Sequence, residues 1–182
     1  MLANGFSSAR PSDLLDLSVF EIAPIALVVV KGEGPVHTEE VARRIREAFG
    51  LQRTGNRILE HVLASLEHLA QTGQIEHDND FWSPIGRDLK AVRDRRNASL
   101  PLRRAAMISP AEYQLAITSI ISGAVAISRE DLIIETARVF GFDRTGPDLR
   151  EAIDQQSEIL VDLGRFHLDG DVLRSGGSSM LQ

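Results

Sequence analysis

The chain has no cysteine, and only one tryptophan and one tyrosine in 182 residues. Without thiols it can form neither a disulfide nor a thiolate metal site, and nothing points to an oxidising compartment. Long apolar runs are missing too. The longest, Ile22 to Val30, is interrupted by Pro24 and falls far short of the roughly 20 residues that a membrane span requires. The amino terminus lacks the basic stretch and apolar run of a signal peptide, so a cytoplasmic location and no membrane partner are expected. Positive charge is in the minority, with 20 Lys and Arg against 26 Asp and Glu and a net charge of −6. That balance argues against an indiscriminate nucleic-acid binder, whose affinity comes from neutralising phosphates. No Gly-rich loop ending in Gly-Lys-Ser/Thr is present, which gives no support to a P-loop. The five histidines, His37, His61, His68, His77 and His167, stand in no metal-ligand spacing. His61 and His68 could share a helix face, yet a metal would need further ligands. No carboxylate pair is tied to a candidate nucleophile or base. The expectation is no enzyme, no cofactor and no metal.

What the chain does have is a second copy of itself. Phe49-Gly50-Leu51-Gln52-Arg53-Thr54-Gly55 returns as Phe140-Gly141-Phe142-Asp143-Arg144-Thr145-Gly146, and the shift of 91 residues holds across most of the sequence. Such a repeat marks one structural unit written twice. Units of roughly 65 to 75 residues lie near the lower limit at which a domain folds unaided, and a hydrophobic fraction of 43% is enough to give each a core.

Ser18-Val19-Phe20-Glu21 and Ser109-Pro110-Ala111-Glu112 both place a Glu three residues after a Ser, the signature of a capping box at a helix start. Pro110 suits the first helical position, whereas Pro24 lies deeper and should bend its helix or delay its start. Gly32 and Gly123 are expected to end these helices. Short extended pieces follow at Val36-His37 and Val125-Ala126-Ile127, then second helices with acidic first turns near Thr38 and Ser128. Gly50 and Gly141 should stop those helices in the left-handed conformation. Third helices follow, with stripes at Ile58, Val62, Leu66 and Leu69 and at Leu149, Ile153, Leu160 and Leu163. Each copy closes with an alternating hairpin, Gln74 to Trp82 and Arg165 to Leu173.

Helix, strand, helix, turn, helix, hairpin is the order of a winged helix. The fold class expected is mainly α with small β-hairpins, as two tandem winged helix-turn-helix units. Residues 13–83 form the first unit and residues 108–174 the second, with a basic linker over 84–107 between them. Residues 1–12 and 175–182 are expected to be flexible ends.

Several of these segments resemble a known family. Glu33-Gly34-Pro35-Val36-His37, Phe49 to Ile58, Val92-Arg93-Asp94-Arg95 and Phe140 to Gly146 are similar to an uncharacterised domain near the carboxyl end of large, superfamily-one helicase-related bacterial proteins. The resemblance implies association with nucleic-acid-remodelling machinery and with a helicase- or nuclease-type partner. It implies no catalytic residues. The chain carries no helicase motor, so it is read either as the end of a longer protein or as a stand-alone accessory.

Charge separates the copies. In the first, Arg43, Arg44 and Arg46 lie on the second helix, and Arg53, Asn56 and Arg57 lie at the opening of the third, types suited to phosphate and base-edge contacts. The other reading of the Arg43, Arg44 and Arg46 trio is a solvated face paired with Glu39, Glu40 and Glu47. Arg53, like Arg144, could instead pin its own turn on a carboxylate or helix-end carbonyl. In the second copy Asp148, Glu151, Asp154, Glu158 and Asp162 oppose Arg150 on the third helix. The segment between the copies carries Arg87, Lys90, Arg93, Arg95, Arg96, Arg103 and Arg104 against Asp88 and Asp94. Its Lys90, Arg93, Arg95 and Arg96 could follow a phosphate backbone or bind that acidic third helix. Phe81 and Trp82 could stack on a base or close a small core. The function expected is a non-catalytic, DNA-binding tandem winged-helix module in a helicase- or nuclease-type system. The alternative is a protein-interaction scaffold using the same helices as docking surfaces, with self-association open.

Overall fold

The computed structural model describes residues 13–175, and the chain divides into two compact units after Arg87. The ends expected to be flexible therefore lie outside the described residues, apart from Ser175, which closes the last strand. The fold is mainly helical, with small antiparallel β-structures.

In the first unit a 3-10 turn at Asp13–Leu15 precedes α1 (Val19–Glu33), β1 (Val36–His37), α2 (Thr38–Ala48), α3 (Asn56–Gln71), β2 (Ile75–Asp78) and β3 (Phe81–Pro84). The second unit has α4 (Pro110–Gly123), β4 (Ile127–Ser128), α5 (Arg129–Val139), α6 (Pro147–Asp162), β5 (Phe166–Asp169) and β6 (Val172–Ser175). From β1 to β6 each element of the second unit begins and ends 91 positions after its counterpart. Each unit carries a three-stranded antiparallel sheet, ordered β1-β3-β2 and β4-β6-β5. The registers repeat as well, with Val36 opposite Trp82 and Ile127 opposite Leu173.

Both opening helices start at their capping boxes. Glu21 accepts from the Ser18 amide at 2.8 Å, and the Glu112 amide donates to the Ser109 hydroxyl at 3.2 Å. Pro24 does not delay α1, which begins at Val19. It stands on the exposed side, between buried Ala23 and Ala26, where the carbonyl it leaves without a partner can meet water. Gly32 lies inside α1, which runs on to Glu33 and is capped at Gly34. The extended piece of the second copy is shorter than expected, because Val125 and Ala126 precede the strand.

Each unit has its own core. Ile22, Ala26 and Val30 of α1 meet Val41 and Ile45 of α2 and Val62, Leu66 and Leu69 of α3. Tyr113, Ile117 and Ile121 meet Leu132, Ile133, Ile153 and Leu160 in the second unit. Spacing of three and four residues puts these side chains on one face of each helix, and their burial is the main stabilising term. Trp82 is buried in the first core and its Nε1 donates to the Thr38 hydroxyl at 2.8 Å. That indole closes the core beside the sheet and offers no face for a base. Phe81 is buried too, edge-on to His37 with ring centroids 5.1 Å apart.

Candidate nucleic-acid interface

The arginines of α2 are occupied within their own unit. Arg43 donates from Nε and Nη2 to Glu40 and from Nη1 to Glu47, all at 2.6 Å. The hydrogen bond to Glu40 is the main reason the Arg43 pKa is raised. Arg44 pairs with Glu40 at 2.9 Å and with Glu33 at 3.2 Å. Arg46 pairs with Glu47 at 3.1 Å through Nη2 and reaches the following turn as well. Its Nη1 donates to the carbonyls of Leu51 and Gln52, at 3.2 and 2.5 Å, and so holds the corner between α2 and α3 from inside. The trio expected as a phosphate site is thus the charge-paired face, with Glu33 as an additional partner.

The opening of α3 is different. Arg53, Asn56 and Arg57 are exposed, and among the described residues their side chains make no hydrogen bond or ion pair. Arg53 does not pin its turn, and neither does Arg144 in the second unit; Arg46 does that in the first. The helix starts on Gly55, which offers no capping side chain, and its first turn holds no acidic residue. The Asn56 and Arg57 amides therefore point outward uncapped, into the positive end of the helix dipole. At the matching place in α6 stand Pro147, which has no N–H, and Asp148, which repels an anion. One helix start can accept a phosphate and its duplicate cannot.

Residues 88–107 belong to the second unit. Lys90 is exposed and pairs with Asp88. Arg93 binds Glu112 through Nε at 3.1 Å and Nη2 at 3.0 Å. Arg95 reaches the same carboxylate at 2.9 Å, also donates to the Met107 carbonyl at 3.2 Å, and lies over the Phe140 ring. The Arg95 side chain is only 6% exposed and that of Glu112 is fully buried. Burial alone would raise the Glu112 pKa, but the hydrogen bonds and charges of Arg93 and Arg95 outweigh it and bring it to about 2. The anchor for these arginines is therefore the capping-box glutamate of α4 and not the acidic helix α6. Sequence reading found Glu112 as a cap and missed it as an ionic centre. The one available signal was alternation, since Arg93 and Arg95 point to the same side of an extended chain. Arg96 is exposed, and its backbone amide donates to Asp94 at 2.8 Å.

The acids of α6 are partly spent on their own unit. Arg129 of α5 binds Asp154 at 2.7 Å and Glu158 at 2.6 Å, and Arg150 binds Glu130 at 2.6 Å. Asp148, Glu151 and Asp162 remain exposed along the outer face. Among the described residues no three His, Asp or Glu side chains converge on a metal-sized space, and no helix is long and apolar enough to cross a membrane.

A family model described as a protein of unknown function, DUF3320, matches residues 20–60. The matched stretch runs from α1 through β1 and α2 into the first turn of α3. It contains the Glu33 to His37 and Phe49 to Ile58 motifs and leaves out those of the second unit. Neither a curated protein nor a solved structure matches the chain.

Proposed function

We propose that each unit is a winged helix-turn-helix and that the chain is a non-catalytic DNA-binding module, with the opening of α3 as its contact. The observation that carries this reading is the difference between two duplicate helix starts. Gly55-Asn56-Arg57 presents uncapped amides and, counting Arg53, two arginines that have no partner among the described residues, whereas Gly146-Pro147-Asp148 presents an acid and one donor fewer. Helix order supports it too, because α3 follows α2 and its turn as the recognition helix of such a fold does. The hairpin tip carries Glu76, Asp78 and Asp80, all exposed, and would stay off the phosphates. The footprint is accordingly small. Arg53, Arg57 and the amides beside them reach two or three phosphates, enough for a weak contact that a helicase- or nuclease-type partner in the cytoplasm would reinforce.

The test is fluorescence anisotropy of a labelled duplex titrated with the full chain at several salt concentrations. A footprint of that size gives a slope of about −2 to −3 in log K against log salt. Reversal of Arg53 and Arg57 to Glu should abolish binding, whereas reversal of Arg43 should not abolish it directly. Absence of binding at low salt removes the reading.

A second reading is favoured by the other unit. The outward stripe Asp148, Glu151 and Asp162 repels DNA and suits a basic protein surface, so the second unit is the candidate docking half of a scaffold. Capture of a protein partner that survives nuclease treatment, and that is lost on reversing Glu151 and Asp162 to Lys, would support it over the first.

A further inference from the structure

The exposed residues of α1 are Phe20, Glu21, Pro24, Val28, Lys31 and Gly32. At 3.6 residues per turn they fall within about a third of the helix circumference, directly opposite Ile22, Ala26 and Val30 of the core. The middle of that outer side is apolar, and Phe20 and Val28 are 68% and 51% exposed. A helix that is apolar on the side turned from its core as well has the pattern of one covered on both sides. The duplicate helix lacks it. In α4 the matching residues are Ala111, Leu115, Ser119, Ser122 and Gly123, and Glu112 is buried. Charge marks the two ends of the outer side of α1, Glu21 at one and Lys31 at the other. Among the described residues the Lys31 ammonium has no partner. Glu21 spends Oε2 on the Ser18 amide and hydroxyl, at 2.8 and 2.7 Å, and stays exposed. Pro24 has no N–H for the Phe20 carbonyl four residues back, which adds a main-chain acceptor at the Glu21 end.

We propose that the outer side of α1 is the contact for a second copy of this chain, with the two α1 helices antiparallel about a two-fold axis. The spacing is self-complementary. Pro24 and Val28, Glu21 and Lys31, and Phe20 and Gly32 are three pairs placed evenly about Ala26. Antiparallel pairing at that level brings Pro24 beside Val28 of the second copy, Glu21 beside its Lys31 and Phe20 beside its Gly32, and the two-fold axis makes each contact twice. Charge selects the antiparallel sense, because a parallel pair would set Glu21 on Glu21 and Lys31 on Lys31. The ammonium of the second copy then has the Glu21 carboxylate and the Phe20 carbonyl as acceptors. Gly32 leaves a flat spot for the Phe20 ring, and among the described residues an added Cβ there would meet nothing within 4 Å. A contact one helix wide is small, so the dimer is a weak one. The proposal is independent of the DNA reading.

The experiment is analytical ultracentrifugation of the full chain without nucleic acid, over a concentration series. It should show a monomer–dimer equilibrium with a Kd on the order of 10 to 100 µM. Lys31→Glu and Glu21→Lys should each be monomeric alone, because each sets like charges together at both ends. An equal mixture of the two variants should dimerise again, since the mixed pair is complementary at both ends. Gly32→Leu fills the place of the ring and should weaken the dimer about tenfold, while its thermal transition falls no lower, because leucine suits a helix interior better than glycine. A wild type that stays monomeric up to millimolar concentration overturns the proposal. So does a dimer that withstands Lys31→Glu and Gly32→Leu, or a mixture of the two charge variants that stays monomeric with both folded by circular dichroism.

Discussion

Gly50 and Gly141 stand at the same corner of the same fold, after α2 and after α5, with φ of 71° and 81°. Among the described residues an added Cβ at Gly50 would meet nothing within 4 Å, whereas at Gly141 it would lie 2.6 Å from the Arg96 amide nitrogen. The corner of the first unit is held from below, by Arg46 on the Leu51 and Gln52 carbonyls. That of the second is held from above, by Asp94 to Arg96 and by the Arg95 amide on the Phe140 carbonyl at 2.9 Å. Ala137 replaces Arg46 in the second unit, and in the first unit's sequence Leu2 and Asn4 occupy the positions matching Arg93 and Arg95. The same requirement, a fixed turn before the third helix, has been met by two different sets of contacts. Among the described residues, only the second unit has a segment lying over the outer side of the turn.

Three substitutions or conditions separate these arrangements, and the largest effect belongs to Glu112. Glu112→Ala leaves buried Arg95 without its counter-charge and should cost the second unit about 3 to 5 kcal/mol. Glu21→Ala removes only an exposed cap and should cost the first unit far less. Amide hydrogen exchange resolved by unit measures both in one sample. Equal loss of protection in the two would show that Arg93 and Arg95 do not hold the second unit.

Acid should discriminate next. The Glu112 carboxyl has an ordinary pKa of 4.5 in the unfolded chain and about 2 in the folded one, so the unfolded chain binds the proton more readily. Its contribution, about 3 kcal/mol, is complete above about pH 4.5 and is lost as the pH falls towards 2. Denaturant midpoints followed down that range should fall for the second unit, and Glu112→Gln should flatten that slope.

The smallest difference between the two units is steric. Gly50→Ala should cost about 1 to 2 kcal/mol for its left-handed backbone alone. Gly141→Ala should cost about 3 kcal/mol, because strain is added to displacement of the covering segment. Thermal transitions of the two variants would check the order, and a reversed order would mean that residues 94–96 yield freely.

Sequence reading was strongest where signals were local. The capping boxes at Ser18 and Ser109, the left-handed glycines and the 91-residue shift placed nearly every element, because each depends on neighbours within four residues. It was weakest where a side chain chooses among distant partners. Arg46 and Arg43 lie on one helix and share Glu47, yet only Arg46 also reaches the carbonyls of the following turn, and helical spacing alone does not separate those fates. Arg95 and Glu112 are 17 residues apart, and only the folded second unit brings them together. The difference between Asn56-Arg57 and Pro147-Asp148 was visible in the sequence throughout. Its weight emerged once the other basic candidates of the first unit were found to be occupied.

That difference can be exchanged directly. Asn56→Pro with Arg57→Asp gives α3 the opening of α6, and proline at a first helical position leaves the fold intact. Binding of labelled duplex by this double variant at low salt is the deciding measurement. Loss of binding, with circular dichroism unchanged, is the predicted result. Undiminished binding would place the DNA contact elsewhere and contradict the division of roles between the two units.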